Sequence, residues 1–189
     1  MRFSIGVDLG QKQDHTAIAI VERPEERGQQ QSTLLLRRIQ RVALGTPYPA
    51  VVEMVRDIAN GEALGGRCAL AVDGTGVGAP VVDMLRAAGL RCEITAVTIT
   101  GGEREAGRGA NWVSVPKKDL ISGVQLALEK GELRIARRMK DAGALVRELV
   151  SVRMGEATGG EHDDLVIALA LACWRARRRT IGPGTMRLF

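Results

Sequence analysis

The sequence predicts an α/β protein built around one mixed sheet. Two observations carry this. Three strand-type runs follow one another at the start of the chain, at residues 4–9, Thr16–Val21 and Thr33–Val42, close enough in sequence to pair as an antiparallel meander. A strand–helix–strand unit then follows at Arg67–Val72, Pro80–Ala88 and Cys92–Ile99, the pattern of a parallel half-sheet.

The remaining elements fall between and after these. Pro49–Ala59 has helical spacing at Val51, Val52, Val55 and Ile58. Pro80–Ala88 repeats it at Val81, Val82, Met84 and Leu85 and is ended by Gly89. Gly101–Asn111 mixes glycine with charge and is expected to be a flexible loop. Pro116 opens a helix through Lys130, with Gly131 just past its end. Leu133–Ala136 fits a short strand or an extended connector. Asp141–Val152 is helical, Gly155–Gly160 is a loop, and His162–Arg178 is the last helix. Ile181–Phe189 is a tail.

The chain has 189 residues, enough for one good core, and neither a repeat nor a linker divides it. The apolar run Leu165–Cys173 is too short to span a membrane. Strand pattern begins at once, so no signal peptide is expected. Cys68, Cys92 and Cys173 are odd in number and lie in apolar elements, which suits reduced thiols in a cytoplasmic protein rather than a disulfide or zinc framework. Lys and Arg number 27 against 22 Asp and Glu, for a net charge of +5. The excess is clustered at Arg37, Arg38 and Arg41, at Arg134, Arg137, Arg138 and Lys140, and at Arg175, Arg177, Arg178 and Arg179. Such clusters suit a polyanion held by its phosphates, and each alone is also ordinary solubilising surface. Aromatics are only 3% of the chain, so base stacking is a minor expectation.

The acids carry the chemistry. Asp8 closes the first strand, Asp73 closes the fourth, and Asp163 and Asp164 open the apolar last helix. A buried charge costs several kcal/mol or more unless it is compensated, and a divalent cation would compensate several at once. Ligands that are all oxygen point to Mg²⁺ or Mn²⁺. The expected reaction is two-metal phosphodiester hydrolysis, with ions roughly 4 Å apart and one bridging carboxylate. Asp8 is the expected bridge, because a central strand is the most rigid support. Asp164 is the expected direct ligand of its pair, with Asp163 a second ligand or an outer group. Asp14 is a further candidate, though a turn residue by default. Each acid taken singly reads as a turn or cap; the joint pattern is what points to a metal. Gly74–Gly78 also resembles a phosphate-binding glycine loop, but no ribose-binding acid follows at the expected distance. Lys117 and Lys118 open a helix, where an external phosphate would offset their conflict with the helix dipole. His162 is a candidate to position water or a phosphate.

Four segments, GVDLGQKQDHTAIAIVE, VDGTGVGAPVVDMLR, VPKKDLISGVQLALEKGELRIA and EHDDLVIALALACW, resemble the C-terminal nuclease domain of phage large terminase subunits, over nearly the whole chain. The second and fourth are the specific ones. The resemblance implies a ribonuclease H-like fold related to Holliday-junction resolvases, with a five-stranded mixed sheet, hairpin strands first, flanked by helices. It implies one nuclease domain over residues 1–179 and a tail over 180–189. It also implies Mg²⁺- or Mn²⁺-dependent cutting of double-stranded DNA during genome packaging, with Asp8, Asp73 and Asp163/Asp164 as the catalytic acids and Asp14 at an additional acidic position. Arg177, Arg178 and Arg179 are expected to join Lys117 and Lys118 in holding nucleic acid. Large terminases carry an ATPase motor, yet no G-x-x-x-x-G-K-[ST] occurs here. The motor, and a portal, are therefore expected as separate or deleted partners. The segment before Glu161 is shorter than the DNA-holding hairpin common in that family. Alternatives are a resolvase for branched DNA, a non-catalytic DNA-binding or assembly module, and an actin-type ATP-binding domain, for which the chain is too short.

Overall fold

A computed structural model describes residues 2–10, 14–24, 33–76, 78–107, 109, 111–136, 138–153 and 163–178. Three strands come first: β1 (Phe3–Asp8), β2 (Ala17–Glu22) and β3 (Leu34–Arg41). They pair antiparallel, β1 with β2 and β2 with β3. Helix α1 (Tyr48–Asn60) leads to β4 (Cys68–Asp73), helix α2 (Gly78–Ala87) and β5 (Glu93–Thr100). Strands β1, β4 and β5 run parallel side by side. Together the five strands β5-β4-β1-β2-β3 form the mixed sheet that the sequence pattern implied.

The sheet is larger than expected, with eight strands among the described residues in the order β6-β7-β5-β4-β1-β2-β3-β8. The segment read as a loop contributes β6 (Ala106–Gly107), which pairs antiparallel with β7 (Trp112–Pro116). Strand β7 extends the parallel half beside β5. Beyond helix α3 (Lys117–Glu129), β8 (Leu133–Ile135) pairs parallel with β3 at the other edge. Helices α4 (Ala142–Arg153) and α5 (Asp164–Arg177) are the last described elements.

Two cores result. One face of the sheet packs on α1 and α2 through Ile5, Val7, Leu70, Val72, Val55 and Val82. The other packs on α3, α4 and α5 through Ala17, Ala19, Ala71, Val97, Val124, Leu145 and Leu169. Side chains of a strand alternate between faces. Gly6 and Asp8 therefore share the α5 face of β1, and Asp73 shares it with Ala71 on β4.

Helix α5 is buried on nearly all sides, from Asp164 through Cys173 and again at Arg175 and Ala176. A helix apolar all round belongs in the interior, and this one lies directly on β1. A Cβ on Gly6 would overlap the Ala168 carbonyl oxygen and stand 2.5 Å from the Ala172 amide nitrogen. Only glycine permits that approach. The consequence reaches the acids: Ala168 lies one helical turn beyond Asp164, and Gly6 lies two residues before Asp8.

Candidate active site

The register draws the acids into one row. Asp8 pairs with Ala17, and Ala17 with Arg41. Val7 pairs with Val72, so the next positions along these parallel strands are Asp8 and Asp73. Asp73 in turn pairs with Val97. The row Val97–Asp73–Asp8–Ala17–Arg41 crosses five strands at one rim, where neighbouring strands lie about 4.8 Å apart. The first turn of α5 brings Asp163 and Asp164 to the same rim.

The electrostatics accord with this convergence. The Asp8 carboxyl is held well above the usual carboxylate range, first by burial and then by the charges of Asp73, Asp164 and Asp163, with Lys117 pulling the other way. Burial also raises Asp73, against hydrogen bonds from Thr75 and the charge of Lys117. Like charges at short range raise a carboxyl's pKa, and those acting on Asp8 come from β4 and from the start of α5.

Three of the four carboxylates have turned to nearby donors. Asp73 Oδ1 accepts from the Thr75 amide at 2.8 Å and from its hydroxyl at 2.5 Å. Asp163 Oδ2 lies 2.6 Å from Lys117 Nζ. Asp164 Oδ2 lies 3.3 Å from Arg41 Nε. As arranged, no group of three or more His, Cys, Asp or Glu side chains among the described residues could hold a metal ion. The donor set nonetheless fits a hard divalent cation: it is all carboxylate and crowded with negative charge. The groups now occupying it are a flexible lysine, a threonine turn and one arginine.

The other predicted residues fall as follows. Asp14 is exposed between β1 and β2 and lines a small pocket, about 180 Å³, with Gly10, Thr16, Thr46 and Tyr48. Lys117 and the exposed Lys118 open α3 beside the acids. Arg177 and Arg178 stand at the opposite end of the 14-residue α5, about 20 Å from Asp164 at 1.5 Å per residue. Arg177 donates to the Gly123 carbonyl and pairs with Glu132. Arg178 pairs with Glu105 and lies over the Trp174 ring. Arg179, His162 and the 180–189 tail lie outside the described residues.

The cluster Arg37, Arg38 and Arg41, which from sequence suited either phosphates or ordinary solubilising surface, is partly turned inward. Arg37 pairs with buried Glu22, and Arg41 joins Asp164 to Glu148. Sequence reasoning missed Glu148. It is buried on α4, with its carboxyl pushed up to about 7, mainly by burial, against the pull of Arg41 and two backbone N–H groups.

Residues 5–175 match the family described as the terminase RNaseH-like domain. The chain belongs to that family. Solved structures agree on the fold. The large terminase nuclease from thermophilic phage G20c is 22% identical, with 90% of this chain and 80% of that one covered and a TM-score of 0.59. The Mn-soaked human cytomegalovirus terminase nuclease domain is 14% identical, with 92% and 83% covered and a TM-score of 0.57. The large terminase nuclease domain of bacteriophage SPP1, with bound Mn, is 13% identical, with 93% and 87% covered and a TM-score of 0.56. Among curated proteins, none matches in sequence. This terminase-type domain contains, among its described residues, no helix long and apolar enough to cross a membrane.

Proposed function

We propose that this terminase-family domain is a metal-dependent nuclease that hydrolyses phosphodiester bonds of double-stranded DNA in genome packaging. One observation carries the reading: half-buried Asp8 sits at a rim where Asp73, Asp163 and Asp164 all act on its charge. Without a cation such an arrangement is self-repelling, and the cost makes sense only if a cation is bound in use.

Asp8, Asp73 and Asp164 would hold Mg²⁺ or Mn²⁺, with Asp163 as a second or outer group and Asp14 as a further donor. Two such ions would supply the charge that activates a water and steadies the leaving oxygen. The protein's own part is to fix the acids on a rigid strand row and a buried helix. Lys117, which holds Asp163, would serve a DNA phosphate when that carboxylate is engaged elsewhere. Lys118 adds a phosphate contact beside it, and Arg177 and Arg178 add a separate one at the far end of α5, with Arg179 following them in sequence. Translocation would come from an ATPase domain or subunit, with a portal as a further partner.

The test is cleavage of plasmid DNA in Mn²⁺ or Mg²⁺ by the wild type, D8N and D73N. Loss of cutting in both variants, with unchanged far-UV circular dichroism, is expected. Wild-type cutting by both would refute the site.

A further inference from the structure

Glu148 has a connection that a surface glutamate does not need. Its Oε2 accepts from the amides of Leu165 at 3.0 Å and Val166 at 3.2 Å. These belong to the first turn of α5, whose N-cap residue Asp163 makes no side-chain cap of its own. A carboxylate from α4 therefore caps the helix that carries Asp163 and Asp164, where the helix dipole favours negative charge. The Oε1 atom accepts from Arg41 Nη2, and Arg41 Nε donates to Asp164 Oδ2 at 3.3 Å. Arg41 is fixed in turn by its place in the strand row, opposite Ala17.

Two links thus run from Glu148 to Asp164, one through the backbone of α5 and one through a guanidinium. The guanidinium is a planar fork that here binds both carboxylates, so it fixes the direction of the Asp164 carboxylate it holds. Its charge alone would weaken a cation site. Glu148 offsets that charge, so the couple orients without adding net positive charge.

We propose that Glu148 and Arg41 are positioning residues that aim Asp164 at the Asp8–Asp73 row and keep the rim negative enough for a divalent cation. This rests on the metal-dependent reading above. Partners behind a metal ligand commonly change affinity by about tenfold or more.

The test is Mn²⁺ titration calorimetry at pH 8 on the full chain, with E148Q, R41M, R41K, the double variant R41M/E148Q, and D8N as control. The glutamine side chain in E148Q can still accept from the two amides, so this variant should melt near the wild type in EDTA. Its Mn²⁺ dissociation constant should nevertheless rise about tenfold. R41M and R41K should weaken binding similarly, since lysine keeps the charge but loses the fork. The double variant should be no worse than either single one, because the two residues act as a unit. Wild-type affinity in E148Q and R41M, with binding lost in D8N, would overturn the proposal and leave Glu148 as a cap alone. Additive losses in the double variant would overturn the coupling. If E148Q does not fold, R41K leaves the cap untouched and decides the matter: wild-type affinity there also overturns the proposal. If D8N binds Mn²⁺ as tightly as the wild type, the metal-site reading itself fails instead.

Discussion

Gly6 of β1 and Ala172 of α5 approach so closely that a Cβ on the glycine would stand 2.5 Å from the alanine's amide nitrogen. The opposing atoms are backbone, which cannot rotate away. Gly6→Ala should therefore push α5 off the sheet, at a cost of about 3 kcal/mol, the upper part of the usual range for overpacking. Because α5 carries Asp163 and Asp164, the variant should also lose Mn²⁺ stabilisation. Urea unfolding with and without Mn²⁺ checks both; an unchanged midpoint would contradict the packing.

Metal-free stability should fall as pH rises from about 5 to 8. Asp8 and Asp73 have raised pKa values in the fold, and Glu148 is raised to about 7. A folded state that keeps protons the unfolded chain has released loses stability with rising pH. Glu22 has the opposite sign: Arg37 and Arg2 lower it, so its contribution is intact above about 4.5 and is lost only in more acid solution. Melting temperature in EDTA across this range measures the slope. D8N should flatten it and melt above the wild type at pH 8; a D8N slope as steep as the wild type's would show that Asp8 is not strained.

Arg175 and Glu93 should respond unequally to substitution. Arg175 is buried, pairs with Glu93 at 2.7 Å, and leaves its Nε without a hydrogen-bond partner among the described residues. Glu93 is about one-third exposed and can return to water. R175M should cost little, because a hydrophobic side chain of similar shape replaces a poorly satisfied charge. E93L should cost about 3–5 kcal/mol, because it strands a buried guanidinium. Equal losses in chemical denaturation would count against this account.

Lys117 and Lys118 should dominate the salt dependence of DNA binding near the acids. Each phosphate contact contributes about 0.9 to the slope of log affinity against log salt. K117M/K118M, assayed in Ca²⁺, should reduce the slope by up to about 2. R177Q/R178Q should reduce it less, because Arg177 and Arg178 already engage Glu132 and Glu105. A larger effect from the arginines would move the main DNA contact to the far end of α5.

Much of the fold was legible because the central strands are continuous apolar runs ended by an acid or glycine. The meander and the parallel unit both lie where that pattern put them, within a residue or two. Strand β7 was missed, although Trp112-Val113-Ser114-Val115 has alternation of its own; it is short, follows a glycine-rich stretch and runs straight into a helix. Asp8, Asp73, Asp163 and Asp164 were legible as acids at element ends; the strand register sets Asp8 beside Asp73, and the first turn of α5 adds Asp163 and Asp164. Glu148 was not. Helix α4 buries this glutamate while exposing Val146 and Val150. Local hydropathy reads such a helix the wrong way round, and its partners Arg41 and Leu165 are far away in sequence.

The outermost strands have a bearing on how the protein behaves at high concentration. On one side the sheet ends in the two residues of β6, on the other in the three of β8. An open sheet border invites another chain to add itself by backbone pairing. Among the described residues β8 covers β3 only at Leu34, Leu35 and Leu36, so the border beyond it runs past Arg37, Arg38 and Arg41, charged side chains that discourage such growth, while the apolar strands β1 and β4 are paired on both sides.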